Sequence, residues 1–374
     1  MDPTFHQRHP APAALERPPV GPDAGDAQCA PRRQAVRCRH ALPTIPSVGG
    51  ALRRMLAVLA VALGAGLGAP IHAQGDYPTK PIRVVVTFPP GGSTDVVVRM
   101  LVPHLNEKLG QQVIVDNRPG AGGNIGLSLV AKAPADGYTL GVGAAGALSA
   151  NSSLYAQMPF DVHKDFQPVG MLAAIPFVLI GHPSVPARTL ADLIALAKAQ
   201  PGRLSIAHGG NGTAMHLSAA LLAQMAGLQL VEVPYKGSGP AAMDTLAGQV
   251  PLAVVDLPSA LQQIQAGRLT AFAVTSPQRL PQLPQVPTVA EAGVPGYDST
   301  GWFGMLAPAG MSAASVAKLN AAINEALGDP QVRSSIRNLG VEPAPGTPEA
   351  FGRYIATETS KWSQVIRRAN IRIE

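Results

Sequence analysis

Residues 82–110, IRVVVTFPPGGSTDVVVRMLVPHLNEKLG, leave the chain little choice of fold. The β-branched run at 82–88 suits a strand buried on both faces, and the turn Pro89-Pro90-Gly91-Gly92 ends it. Helical spacing then begins. Val97, Leu101, Leu105 and Leu109 recur every fourth residue, with Val98 and Val102 beside them, so one face packs on a sheet. Ser93 or Thr94 supplies a cap and Gly110 a stop. A strand, a glycine turn and a helix in this order leave unpaired N–H groups at a positive helix end, where Gly91 and Gly92 let a ligand approach the main chain. The stretch is a ready anion site, although the same succession also serves as a plain connection in α/β proteins.

The pattern continues along the chain. A strand at 112–117 leads through the glycine-rich turn 118–124 into a helix at 125–132, and a third strand follows at 138–143. Strands alternating with short-linked helices predict parallel pairing, with ligands at the carboxyl ends of the strands. Between 159 and 176 the pattern loosens into a polar connection. A second alternation then places strands at 177–182, 204–208, 228–234, 250–257 and 269–276. Its helices run from the Thr189 cap to 199, over 213–226 up to Gly227, and near 239–247 and 258–266. Residues 280–297 form a proline-punctuated connection. A short strand near Met305 and helices at 312–327, 330–340 and from Thr347-Pro348 onward complete the chain. Phe351, Ile355, Trp362 and Ile366 share one face of the last helix. These elements predict an α/β protein with two lobes, residues 76–175 with 300–374 and residues 176–299, joined by at least two crossings around a cleft.

The first residues differ in character. Residues 1–54, rich in Pro, Ala and Arg without an apolar period, are expected to be a disordered extension, with translation starting near Met55 as an alternative. Residues 55–73 combine the Arg53-Arg54 flank, about fifteen apolar residues and a small residue at Ala73, the pattern of a secretory signal peptide that is too short to span a bilayer. Of the 29 Lys+Arg and 23 Asp+Glu, residues 1–73 carry eight Arg and four acids, which leaves 21 basic against 19 acidic residues in 74–374. A nearly neutral mature chain gives no basic footprint for nucleic acid. Both cysteines, Cys29 and Cys38, also lie in the early segment, so the exported protein has no thiol nucleophile and no cysteine metal site.

Specific blocks narrow the reading. YPTKPIRVVVTFPPGGSTDVVVR, VIVDNRPGAGGNIG, APADGYTL, HKDFQPV, GGNGTAMHLS, VPYKGSGPAAMDTLAGQV, AGRLTAFAVTS, LPQVPTVAEAGVPGY and KWSQVIRRANI resemble, in order and spacing, the substrate-binding proteins of tripartite tricarboxylate transporters, the Bug family. The resemblance covers nearly all of residues 77–374. It implies a periplasmic receptor of the two-lobed type II solute-binding fold, with a ligand cleft between lobes, that closes on a small carboxylate and delivers it to membrane permease subunits. It further implies ligand contacts from Pro90, Gly91, Gly92, Ser93, Thr94 and Asp95 in the first loop, from Asn211, Gly212 and Thr213 in the second, and from Asp256. A monomer is expected, without cofactor or metal.

The sequence departs from the family pattern in two places. Ala147 and Leu148 stand where relatives commonly carry Thr and His, which leaves Ser149 as the side-chain donor on that wall, and His208 stands where relatives often have Ser. These changes are expected to favour a solute with an apolar or aromatic portion over small polyacids. Asp95 also reads as an acid stabilising its own helix end. His216 reads as a satisfied core histidine, and Tyr235-Lys236-Gly237 as a turn from which Lys236 could reach an anion.

Enzyme readings find little support. Gly141 to Gly146 matches GxGxxG after a strand, but no long helix and no acid-ended second strand follow. Gly237-Ser238-Gly239 is not a nucleophile elbow. His208 and His216 lack a carboxylate at ligand spacing in the sequence. A solute sensor presenting its closed form to a membrane receptor kinase is the alternative to transport.

Overall fold

The computed structural model describes residues 77–369 and 371; the extension expected at 1–54 and the signal peptide expected at 55–73 lie outside them. β1 (Ile82–Val86) lies between β2 (Val113–Asn117) and β3 (Thr139–Ala144), parallel to both. Parallel neighbours need crossover connections, and these are α1 (Ser93–Leu109) and α2 (Asn124–Ala131). Val97, Leu101, Leu105 and Leu109 of α1 are all buried, and Gly110 ends the helix at φ 64°. The start is one residue earlier than the hydroxyls suggest. Gly92 is the N-cap, and no side chain caps this end.

After β3 the chain makes a π-helical turn at Gly146–Ala150 and the short α3 (Asn151–Leu154), then enters β4 (Phe166–Gly181). Residues 166–176, expected as a polar connection, are the first part of this long strand. Pro168, Gly170 and Pro176 interrupt the alternation that marks a strand, and the register shifts twice here, between Pro168 and Gly170 and between Met171 and Ala173. Residues 166–176 pair antiparallel with β9 (Thr300–Pro308), which pairs on its other side with β3. Residues 177–181 instead pair with β7 (Leu252–Asp256) and β8 (Thr270–Val274). Beyond β7 lie β5 (Ser205–His208) and β6 (Val231–Pro234), both in parallel register. The order β2-β1-β3-β9-β4-β7-β5-β6 is thus continuous, with β4 shared by two groups of strands.

Helices α4 (Leu190–Ala199), α5 (Ala214–Ala226), α6 (Ser238–Leu246) and α7 (Leu257–Gln265) connect the second group. Thr189 and Asp192 form a reciprocal capping box on α4, and Gly227 stops α5 at φ 65°. α8 (Ala313–Gly328), α9 (Pro330–Asn338), β10 (Glu342–Pro343) and α10 (Pro348–Ala369) return to the first group. No helix among the described residues is long and apolar enough to cross a membrane.

Thr275 stitches the two crossings together. Its N–H donates to Phe177 O at 3.0 Å, its hydroxyl donates to Ser299 O at 2.6 Å, and it accepts the Ser299 N–H at 3.0 Å. A second tie holds α10 to β9. Glu358 Oε2 accepts from Trp302 Nε1 at 3.3 Å and from Trp362 Nε1 at 3.1 Å, and all three side chains are buried. Buried donors left without an acceptor cost about 1–3 kcal/mol each, so Glu358→Leu is expected to lower unfolding stability by roughly 2–5 kcal/mol. Urea melts of the two proteins check this, and an unchanged midpoint would mean that the indoles find other acceptors.

Candidate functional site

Four helices begin at one place. α1 arrives from the first group of strands, and α5, α6 and α7 from the second, each following the carboxyl end of a strand. Two of these ends are closed by their own side chains. Thr213 accepts the His216 N–H at the start of α5, and Asp256 accepts the Ser259 N–H at the start of α7. The other two are open. Gly92 before α1 and Gly237 before α6 have no side chain to offer, so the first-turn N–H groups of both helices face the cavity between them.

That cavity has a volume of about 270 Å³, suited to a metabolite rather than a polymer. Its polar wall is Pro89 to Thr94 on one side and Lys236 to Pro240 on the other, with Thr213, Asp256 and Ser259 between. The rest of its lining is apolar, from Ile175, Phe177, Trp302 and Phe303 together with Ala144, Ala145 and Met215. An outer compartment of about 550 Å³ adjoins it through Phe88, Pro89, Gly122, Thr213, Lys236 and Gly237, and adds Tyr155, Gly210 and Asn211. The Lys236 side chain has no ion-pair partner among the described residues.

The structure brings seven of the expected residues, Pro90, Gly91, Gly92, Ser93, Thr94, Thr213 and Asp256, to the inner cavity, and Asn211 to the outer one. The carboxyl group of Asp256 is already engaged there. Oδ2 accepts from Ser93 Oγ at 2.7 Å, and Oδ1 accepts from Ser259 Oγ at 2.5 Å and Ser259 N at 3.2 Å. The Ser93 bond crosses the cleft and ties α1 to α7.

The remaining expected residues do not line either compartment. Asp95 turns back to its own loop, accepting from Gly91 N at 2.9 Å, Asn117 Nδ2 at 2.9 Å and Arg99 Nε at 2.9 Å. Burial pushes its carboxyl up, but these three partners outweigh burial and hold it below the usual carboxylate range. Ser149 is buried in the π-helical turn and donates to Ala145 O at 2.5 Å, so it offers no hydrogen to a ligand. His208 is fully buried behind the second loop. Gly212 faces the other group of strands, where Asn151 Oδ1 and Tyr155 lie within 3.0 Å of the position a Cβ would take.

Lys236 reads from sequence as able to reach an anion, but Gly237 and Ser238 escaped the sequence reading as an open helix end because they look like any turn. The available signal was a glycine with no capping side chain ahead of a helix. The apolar wall escaped because Ile175, Phe177, Trp302 and Phe303 come from the two crossing strands, far apart in sequence.

GxGxxG at 141–146 has a packing cause. A Cβ on Gly146 would stand 2.1 Å from Gly212 O, and one on Gly122 would stand 2.9 Å from Asn211 O. Bare backbone is what lets the two sides meet.

An α/β frame of two strand groups around a small cavity faced by open helix ends defines a two-lobed solute-binding protein. The profile of the TctC family, the tripartite tricarboxylate transporter family receptors, matches residues 97–371, and the chain belongs to that family. It is 39% identical to the protein BugT of Bordetella pertussis over 325 residues, 86% of this chain and 99% of BugT. Among solved structures, Rpa4515 of R. palustris with adipate is 38% identical, with a TM-score of 0.76 over 79% of this chain and all of that one. MatC from Rhodopseudomonas palustris with bound malate is 33% identical, with a TM-score of 0.74 over 78% of this chain and 100% of the other. Members of the family are periplasmic binding proteins.

Because a backbone oxygen blocks the added methyl, Gly146→Ala is expected to keep the lobes apart while each lobe stays folded. Small-angle scattering should give a larger radius of gyration for the variant than for the wild type, and equal radii would mean that the contact yields.

Proposed function

We propose that this chain captures a small organic acid in the periplasm, holding the solute's carboxylate between the open ends of α1 and α6, and hands it to the permease subunits of a tripartite tricarboxylate transporter. One observation carries the reading: two uncapped helix starts and the Lys236 side chain converge on one polar wall while the rest of the lining is apolar. An anion there accepts N–H groups that otherwise have no side-chain partner, and each helix end adds up to about 2 kcal/mol in a partly buried setting. Relatives solved with adipate and malate support an acid as the solute.

The apolar wall selects among acids. Ile175, Phe177, Trp302 and Phe303 offer nothing to a hydroxyl or a third carboxylate, and a polar group pressed against them loses its water without return. A solute with an apolar or aromatic portion is therefore favoured over a small polyacid. No group in the cavity is arranged for chemistry, since Asp256 is saturated and the histidines lie behind the loop, so the chain binds without turnover. It acts as a monomer after removal of residues 55–73, and the lobes divide within β4, after residue 175, and before β9.

Thermal melting of residues 74–374 against a panel of carboxylic acids tests this. A ligand at a hundred times its Kd adds about 2.7 kcal/mol, and the largest shifts should come from acids with an apolar stretch, adipate among them. Citrate or malate outbinding every monocarboxylate would sink the apolar preference, and no shift with any acid would sink the carboxylate reading. Lys236→Met should weaken the best acid by about 1.5 kcal/mol, roughly tenfold. Gly92→Val should abolish binding by filling the space above the α1 N-terminus.

A further inference from the structure

The second loop is supported from behind by two histidines and a glutamate. His208 ends β5, His216 lies in the first turn of α5, and Glu232 belongs to β6. The N–H of Gly210 donates to His208 Nδ1 at 3.2 Å, and that of Gly212 donates to His216 Nδ1 at 3.4 Å. The two rings lie 4.8 Å apart. His216 Nε2 is 3.2 Å from Glu232 Oε2, while His208 Nε2 is buried with no partner. One nitrogen of each ring and one carboxylate oxygen lie within 4.8 Å of one another. The carboxylate absent from the local sequence is thus supplied by the neighbouring strand.

A nitrogen that accepts an N–H must keep its lone pair, so both rings carry their hydrogen on Nε2. His216 then donates to Glu232. This arrangement is opposed to a metal, which needs the lone pair on Nε2 and an acceptor for the hydrogen on Nδ1. Backbone N–H groups occupy that place instead.

We infer that His208 and His216, with Glu232 bracing His216, are positioning residues that hold the Gly210–Thr213 loop by accepting its N–H groups on Nδ1, so that a proton arriving on His208 Nδ1 loosens the loop and weakens solute binding. The solute part of this statement rests on the carboxylate reading above. A protonated Nδ1 turns from acceptor to donor and faces another donor, which breaks the contact it made. Glu232 gives protons an entry, since its side chain is 38% exposed against 3% for His216.

The surrounding charges are few. Among the described residues, the titratable groups acting on His208 are His216 and Glu232, and those acting on Glu232 are the two histidines. From the other lobe Tyr155 faces the same loop, its hydroxyl donating to Asn211 O at 3.4 Å, and burial pushes that hydroxyl up, so it stays neutral. Burial and then His216 push His208 down to about 4, against the pull of Glu232 and of its Gly210 contact. Burial pushes Glu232 up, but the His216 bond and the neighbouring imidazoles outweigh burial and hold it below the usual carboxylate range. In the unfolded chain a histidine takes a proton near pH 6.5. The folded form refuses it until about pH 4, so the stability from neutral His208 is complete above about pH 6.5 and is lost as the pH falls through about 4.

Nitrogen NMR of the folded chain labelled at histidine reads the hydrogen positions directly, without ligand. Each ring should show an accepting Nδ1 and its hydrogen on Nε2. Hydrogen on Nδ1 of either ring, or its displacement from Nε2 by added Zn²⁺, would overturn the inference. The second arm uses adipate and calorimetry. Asparagine places an oxygen near the site of Nδ1 without titrating, so the pair His208→Asn and His216→Asn should bind adipate better than the pair His208→Leu and His216→Leu at neutral pH. At about pH 4, where half of the His208 rings would be charged, wild type should lose at least about twofold in affinity relative to the asparagine protein, a comparison that cancels the titration of adipate itself. Parallel pH profiles, or relatively tighter wild-type binding in acid, would refute it. Failure of adipate at every pH would count against the carboxylate reading, while the NMR result would still decide the role of the histidines.

Discussion

A helix start without a side-chain cap leaves its first N–H groups in need of an acceptor, and α1 and α6 each bring such a start to the same small space. Much of the molecule serves to build that arrangement. Two groups of strands, continuous through β4, aim the helices from opposite sides. Thr213 and Asp256 close the neighbouring helix starts, so that the open ones are confined to one wall. Asp95 fixes the first loop from its own side and Ser93 reaches across to Asp256. The open ends gather donors and positive helix ends at one wall, and an anion is the species able to accept from both sides at once.

Much of this was legible in the chain. The strand, turn and helix at 82–110 are local in sequence, and local signals decided them: β-branched residues, paired glycines and a fourfold apolar spacing. What stayed hidden was set by tertiary partners. Residues 166–176 hid a strand because prolines and register shifts erase its alternation. Gly237 hid an open helix end because a turn glycine reads the same whether or not a side chain caps the next helix. Asp95, Ser149 and His208 sit at the carboxyl ends of strands or in the first turns after them, as sequence can show, but which way they point depends on Asn117, Ala145 and Gly210. Glu232 could be joined to the histidines only once β6 was known to pair with β5.

The departures from the family pattern also take on a different meaning in three dimensions. Ala147 and Leu148 are buried in the π-helical turn away from the cavity, so the apolar character of the pocket comes from Ile175, Phe177, Trp302 and Phe303. His208 in place of a small hydroxyl residue changes the backing of the loop rather than its face. Gly122 and Gly146 matter through the backbone of the opposite lobe, whereas the other two glycines of the nucleotide-like motif, Gly141 and Gly143, make room for Val130 and Leu148.

Trp302 holds an unusual position. It is among the cavity residues and its strand is one of the two that join the lobes, while its indole packs against Phe351 and Tyr354 of α10 with its nitrogen held by Glu358. Trp362 shares the same carboxylate but is not among the cavity residues. A solute that shifts β9 as the lobes close alters the surroundings of the first indole more than those of the second. The protein therefore carries its own optical gauge of occupancy: a change in emission from one chromophore over a steadier background from the second, with no label attached.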